Sequence, residues 1–165
     1  MKLKLKNDGI FLNIDESYNS GFPVIFQHGL TGDSKQSAEI FPLNQNFYRI
    51  TLECRGHGIS EIGNSKFFSI KYFADDIIKL IKKRKLKKII IGGLSMGAAI
   101  ALRIAILEPK LIKGLILARP AWITKSNPKN LKPFIYIAEL IQNFSQEKGV
   151  SIFLNSKISK EIMRK

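Results

Sequence analysis

Only one cysteine, Cys54, occurs in these 165 residues, so no internal disulfide can form. That excludes a secreted disulfide scaffold and leads us to expect a reducing, cytoplasmic setting. Histidine is almost as scarce: His28 and His57 are the only two, and both stand in the first half of the chain. Acidic residues are few as well, 13 against 27 lysines and arginines, for a formal net charge of +14. Long apolar runs are missing. The longest, Met96 to Leu107, is broken by Arg103 and falls short of the ~18 residues that a spanning helix needs, so no membrane partner is expected. The N-terminal Met1-Lys2-Leu3-Lys4-Leu5-Lys6 alternates lysine with leucine and lacks the apolar block of a signal peptide.

Hydrophobic residues make up 45% of the chain and charged ones 24%, enough to bury a core and too apolar for disorder. The positive charge invites a nucleic-acid reading, but only six of the 27 cations are arginines, and valine occurs only at Val24 and Val150 beside abundant isoleucine. This is the compositional bias of an AT-rich genome. The densest run, Lys82 to Lys88, falls where a helix should end and a strand begin, and cations favour a helix C-terminus. No aromatic residue interleaves it to stack on bases. It reads as a solvated face, nucleic acid is disfavoured as a partner, and a charge-driven anion binder is the weakest function class.

Periodicity predicts alternating strands and helices. Lys2–Lys6 and Ile10–Ile14 read as short strands around an Asn7-Asp8-Gly9 turn, and Pro23–Gln27 as a strand buried on both faces. A short helix fits within 31–41, then strands at 48–53, 88–92 and 113–118, with helices at 69–83 and 96–108 between them. The fold class that follows is α/β, a mostly parallel sheet flanked by helices. From Pro120 onward only helices are expected, at 133–144 and 151–163. The division is therefore a core at 1–122 and a helical tail at 123–165; core packing is expected of Trp122 and Phe134, with lining a pocket beneath the tail as the alternative.

Gly93-Leu94-Ser95-Met96-Gly97 is a G-x-S-x-G set between a buried strand and a helix. That is the setting of a nucleophile elbow, in which the serine occupies a strained turn and its flanking glycines let strand and helix pass closely. Gln27-His28-Gly29-Leu30 and Glu53 to Ser60 follow two other strands. In a parallel sheet these loops share one edge with the elbow.

On these residues the chain resembles the α/β-hydrolase superfamily from about Pro23 to Trp122. His28-Gly29-Leu30 matches that family's H-G-x segment, and Glu53–Ser60 its D-x-R-G-x-G-x-S, with Glu53 in place of the aspartate. Gly93–Gly97 matches its elbow, followed by Ala101–Ala105 and Gly114–Leu117. The resemblance implies Ser95 as nucleophile and the backbone N–H groups of Leu30 and Met96 as the oxyanion hole. It gives His28, Gly29, Arg55, Gly93 and Gly97 supporting roles, with Arg55 bonding backbone carbonyls or a carboxylate such as Glu53. It implies acyl chemistry on esters, lactones, thioesters or amides, or cleavage of a carbon–carbon bond beside a ketone. Neither a cofactor nor a metal is expected.

That family orders its triad as serine, then acid, then histidine, and no histidine follows Ser95 here. The acids after Glu108 are Glu139, Glu147 and Glu161, all in the helical tail. The expectation is therefore the N-terminal part of a hydrolase with the start of a helical cap, weak or inactive alone. Its partners would be a small acyl-type substrate or apolar ligand, and a second polypeptide would supply the missing strands, acid and histidine. The alternative is a binding module on the same scaffold without catalysis.

Overall fold

A computed structural model of the chain describes residues 3–17, 20–42, 45–120 and 129–164. It falls into two compact units, Met1–Pro120 and Ala121–Lys165.

The first unit opens with a hairpin, β1 (Leu3–Asn7) and β2 (Ile10–Glu16), in which Asn7 pairs with Ile10. Asp8 and Gly9 both have positive φ, 49° and 82°, the two-residue turn whose twist suits a hairpin. β3 (Phe22–Gln27), β4 (Phe47–Leu52), β5 (Ile89–Leu94) and β6 (Ile112–Ala118) complete a six-stranded sheet of order β1-β2-β4-β3-β5-β6. β3 pairs in parallel with β4 and β5, and β5 with β6, whereas β2 runs antiparallel to β4. The parallel character thus belongs to β3–β6, and the N-terminal hairpin makes the sheet mixed. Val24, Ile25 and Phe26 are all buried, which explains why β3 shows no apolar–polar alternation.

Among its described residues this unit holds three α-helices: α1 (Ser34–Ile40), α2 (Ile70–Lys83) and α3 (Met96–Leu107). α2 starts where Ser69 accepts from the Tyr72 N–H, an N-cap, and turns Phe73, Ala74, Ile77, Leu80 and Ile81 into the core. There they meet Ile25, Ile50, Leu52 and Ile91 of the sheet and Ile100 and Ile104 of α3. On the other side of the pleat, Phe26 stacks on Phe41, the residue that ends α1. β6 lies at the end of the sheet, and its Leu115, Ile116 and Leu117 are exposed.

The second unit holds α4 (Lys132–Asn143), α5 (Gln146–Asn155) and α6 (Lys157–Met163). The single helix expected over 151–163 is two, because Ser156 adopts an extended backbone (ψ 157°) and its hydroxyl accepts from the Ser159 N–H at 3.1 Å, capping α6. Leu140, Ile141, Phe144, Val150 and Phe153 line an apolar groove of about 640 Å³. Phe134 is 42% exposed and is not a core residue, and Trp122 lies outside the described residues. Among the described residues no helix is long and apolar enough to cross a membrane.

Candidate active site

Because β3 to β6 are parallel, Gln27, Leu52, Leu94 and Ala118 end at one edge of the sheet. Ser95 stands there directly between β5 and α3, with φ 51° and ψ −106°. A non-glycine residue in that region costs on the order of 1–3 kcal/mol and persists only where its surroundings enforce it. The enforcing contacts are visible. The Ser95 N–H donates to the Ala118 carbonyl at 2.9 Å, tying the elbow to the end of β6, and the Ser95 carbonyl accepts from the Ala98 and Ala99 N–H groups. A Cβ on Gly97 would sit 2.7 Å from the His28 carbonyl oxygen, and one on Gly93 2.8 Å from the Gly97 Cα. The two glycines are therefore the condition for strand, helix and the end of β3 to converge. Met96 opens α3, so its N–H has no partner within the helix.

The segment after β3 turns tightly, the Gly32 N–H donating to the Gly29 carbonyl at 3.1 Å, with Thr31 at φ 64°. The Leu30 N–H is not used by that turn, and the Leu30 side chain is 41% exposed. The Gly29 N–H donates to Gln36 Oε1 at 2.7 Å, so α1 holds the loop from behind. Asp33 caps α1, accepting from the Lys35 and Gln36 N–H groups.

His28 is completely buried, and both its ring nitrogens are occupied. Nε2 accepts from the Cys54 N–H at 3.0 Å, which leaves Nδ1 to donate to the Gly29 carbonyl at 2.8 Å. The ring is a brace between the two loops rather than a free base. Burial pushes its pKa below the usual histidine range. Unfolded chains bind the proton more readily, so this contribution to stability is complete above pH ~6.5 and declines as pH falls below that value. Urea midpoints should therefore drop between about pH 7.5 and about pH 5, with a shallower drop in His28→Gln. An equal slope in both proteins would show that His28 is not the group responsible.

His57 lies near His28, ring centroids 5.0 Å apart, and edge-on to Phe73. Its Nδ1 is 3.0 Å from the Arg55 carbonyl oxygen. Cys54 is fully buried, and desolvation pushes its thiol far above the usual range, so it is no rival nucleophile.

Glu53 and Arg55 take partners that differ from those expected. Glu53 binds the Ser34 hydroxyl at 2.7 Å, the Ser34 N–H at 3.2 Å and the Ile59 N–H at 2.8 Å, joining the loop after β4 to α1. Among the described residues Arg55 bonds neither Glu53 nor a backbone carbonyl. Its Nε and Nη2 donate to the two carboxylate oxygens of Asp76 at 2.7 and 2.9 Å, and Nη2 also reaches Asp8 at 2.7 Å. Arg55 thus takes a carboxylate, as expected, but Asp76 rather than Glu53, because it points back beneath the loop toward α2, whereas Glu53 points forward. Asp76 went unnoticed in the sequence, although it falls inside the apolar stripe, next to Ile77 and between Phe73 and Leu80. Among the described residues no group of three or more His, Cys, Asp or Glu is arranged to hold a metal ion.

This geometry agrees with comparisons to known proteins. A family model described as alpha/beta hydrolase fold matches residues 23–148. A protein described as an esterase/lipase in Haemophilus influenzae is 34% identical over 97 residues, 57% of this chain and 32% of that protein. One described as esterase/lipase 2 in Mycoplasma genitalium is 32% identical over 98 residues, covering 58% and 37%. A solved esterase from a marine microorganism superposes with a TM-score of 0.67 at 27% identity, covering 81% of this chain and 51% of that one. The chain thus spans well under two thirds of the length of each of these relatives. With the match running from β3 into the helical unit, and the strained serine, its flanking glycines and the braced loop all at one sheet edge, the chain belongs to the α/β-hydrolase fold family.

Proposed function

We propose that this chain carries the nucleophile and oxyanion half of an acyl hydrolase. Ser95 Oγ attacks the carbonyl carbon of an ester, lactone or thioester, and the Leu30 and Met96 N–H groups receive the negative charge that develops on the carbonyl oxygen. The leaving group departs with a proton and water then cleaves the acyl-serine. The observation that carries this reading is Ser95 itself, held at φ 51° and ψ −106° at the head of α3. The esterase/lipase relatives support the substrate class. His28 braces the oxyanion loop, Gly29 gives its N–H to Gln36, and Arg55 anchors the loop after β4. Residues 123–165 would serve as the first part of a substrate-selecting cap.

A general base is the missing element: among the described residues no hydrogen bond joins His28 or His57 to the Ser95 hydroxyl, His28 is engaged at both nitrogens, His57 Nδ1 faces the Arg55 carbonyl, and no histidine follows Ser95. The imidazole would come from polypeptide outside these 165 residues, and the chain alone would be weak or inactive. The occupied histidine also favours a second reading, binding of an apolar ligand without chemistry.

A fluorophosphonate probe separates the two. It should label the chain slowly, faster by at least about tenfold on adding free imidazole, and not at all in Ser95→Ala. Rapid labelling indifferent to imidazole would place a working base inside the chain. No labelling under any condition, with ligand binding unchanged in Ser95→Ala, would favour the second reading.

A further inference from the structure

β5 runs from Ile89 to Leu94 before Ser95, so the start of β5 lies about 20 Å from the elbow, at the opposite end of the sheet. Two turns meet at that far end. The turn from α2 to β5 carries Lys83, Lys85 and Lys87, and the turn from α3 to β6 carries Lys110; all four are exposed. Lys88 Nζ donates to the Lys110 carbonyl at 3.0 Å, which stitches the turns together. Nearby acids are already paired: Glu108 with Lys82 at 3.4 Å and Glu16 with Arg84 at 2.6 Å. Among the described residues Lys83, Lys85, Lys87 and Lys110 hold no ion pair. The same end also exposes aliphatic side chains. Ile106 is 70% exposed and Leu107 48%, at the last turn of α3 and immediately before this lysine-bearing turn.

We propose that this end of the first unit docks on an anionic lipid bilayer, Ile106 and Leu107 entering the headgroup boundary while the four lysines lie over acidic headgroups. Charge complementarity and the adjacent aliphatic pair together select this occupant. A second copy of the chain would bring like charge to like charge. A nucleic acid would call for aromatic side chains to stack on bases or for arginine forks to grip phosphate, and the two lysine-bearing turns carry no aromatic residue and no arginine beyond the paired Arg84. Compact lysine charges beside exposed aliphatic groups suit a diffuse anionic surface with an apolar layer beneath it. The site is remote from Ser95, so it stands whether or not the chain hydrolyses anything.

Co-sedimentation of the full chain with vesicles tests it. Binding to phosphatidylcholine vesicles carrying about 30% phosphatidylserine should exceed binding to phosphatidylcholine alone by about tenfold and weaken as salt is raised. Lys85→Gln/Lys87→Gln/Lys110→Gln should lose most of that preference. Ile106→Ser/Leu107→Ser should lose several-fold on the acidic vesicles. All substituted side chains are exposed, so each variant should fold, which circular dichroism checks. Equal binding to both vesicle types would overturn the proposal. So would full vesicle binding by Ile106→Ser/Leu107→Ser, or a DNA duplex that displaces the chain from acidic vesicles, which would mark a general polyanion surface.

Discussion

Asp76→Ala is expected to lose several kcal/mol of stability. Arg55 is 1% exposed and Asp76 2%, and their bidentate pair is supplemented by a bond from the Asn7 side-chain amide to Asp76. The Asp76 carboxylate keeps the guanidinium firmly charged, and Arg55 in turn holds Asp8 below the usual carboxylate range. Deleting Asp76 leaves the buried guanidinium with only the part-exposed Asp8 beside it, and removing one side of a buried pair costs about 3–5 kcal/mol. Against a total stability of about 5–15 kcal/mol that is a large share of the margin in a typical domain. Asp8 is 39% exposed and already bonded to Arg55, so it cannot replace the lost carboxylate. The double variant Arg55→Met/Asp76→Leu should be markedly more stable than Asp76→Ala, because it leaves no charge unpaired. Urea unfolding of the three proteins decides it. A loss under about 1 kcal/mol in Asp76→Ala, the scale of a surface pair, would refute the account.

The second large effect is expected at Gly97. Helix propensity alone says that alanine in place of glycine near the start of α3 should stabilise, by about 1 kcal/mol. The new Cβ, however, would lie 2.7 Å from the His28 carbonyl oxygen and closer still to the Gln27 backbone. These are main-chain atoms at the end of a central strand and have no rotamer by which to withdraw. Overpacking should win, so Gly97→Ala should lose about 3 kcal/mol and Gly97→Val more. The damage should fall first on Ser95, whose backbone geometry depends on α3 approaching β3. Thermal unfolding that shows a higher midpoint in Gly97→Ala would mean that the close approach does not constrain the elbow.

The sequence carried the order of strands and helices because each element announces itself locally. β3 is continuously apolar, α2 repeats its apolar residues at helical spacing after a capping serine, and Pro109 stops α3. The elbow was legible for the same reason, as its glycines are neighbours in sequence as well as in space. Partnerships across the fold were not. Arg55 meets Asp76, 21 residues away, and Asp8, 47 away, and no local pattern records such a meeting. The tail misled where a serine interrupted an apparently continuous helical pattern at Ser156. Exposure at Ile106 was invisible too, because α3 is small or aliphatic on nearly every side and does not reveal which face is covered.

The edge of β6 also shapes how copies of this 165-residue chain behave toward one another in solution. Its outer backbone groups face no strand among the described residues, and exposed Leu115, Ile116 and Leu117 flank them. Within β6 only Lys113 acts as a gatekeeper against pairing with another chain. The remaining protection is colloidal: a net charge of +14 keeps copies apart while ionic strength is low. Salt that screens this charge leaves a bare strand edge as the stronger influence, so the chain is best kept in solution by dilute buffer rather than by the saline that suits most proteins.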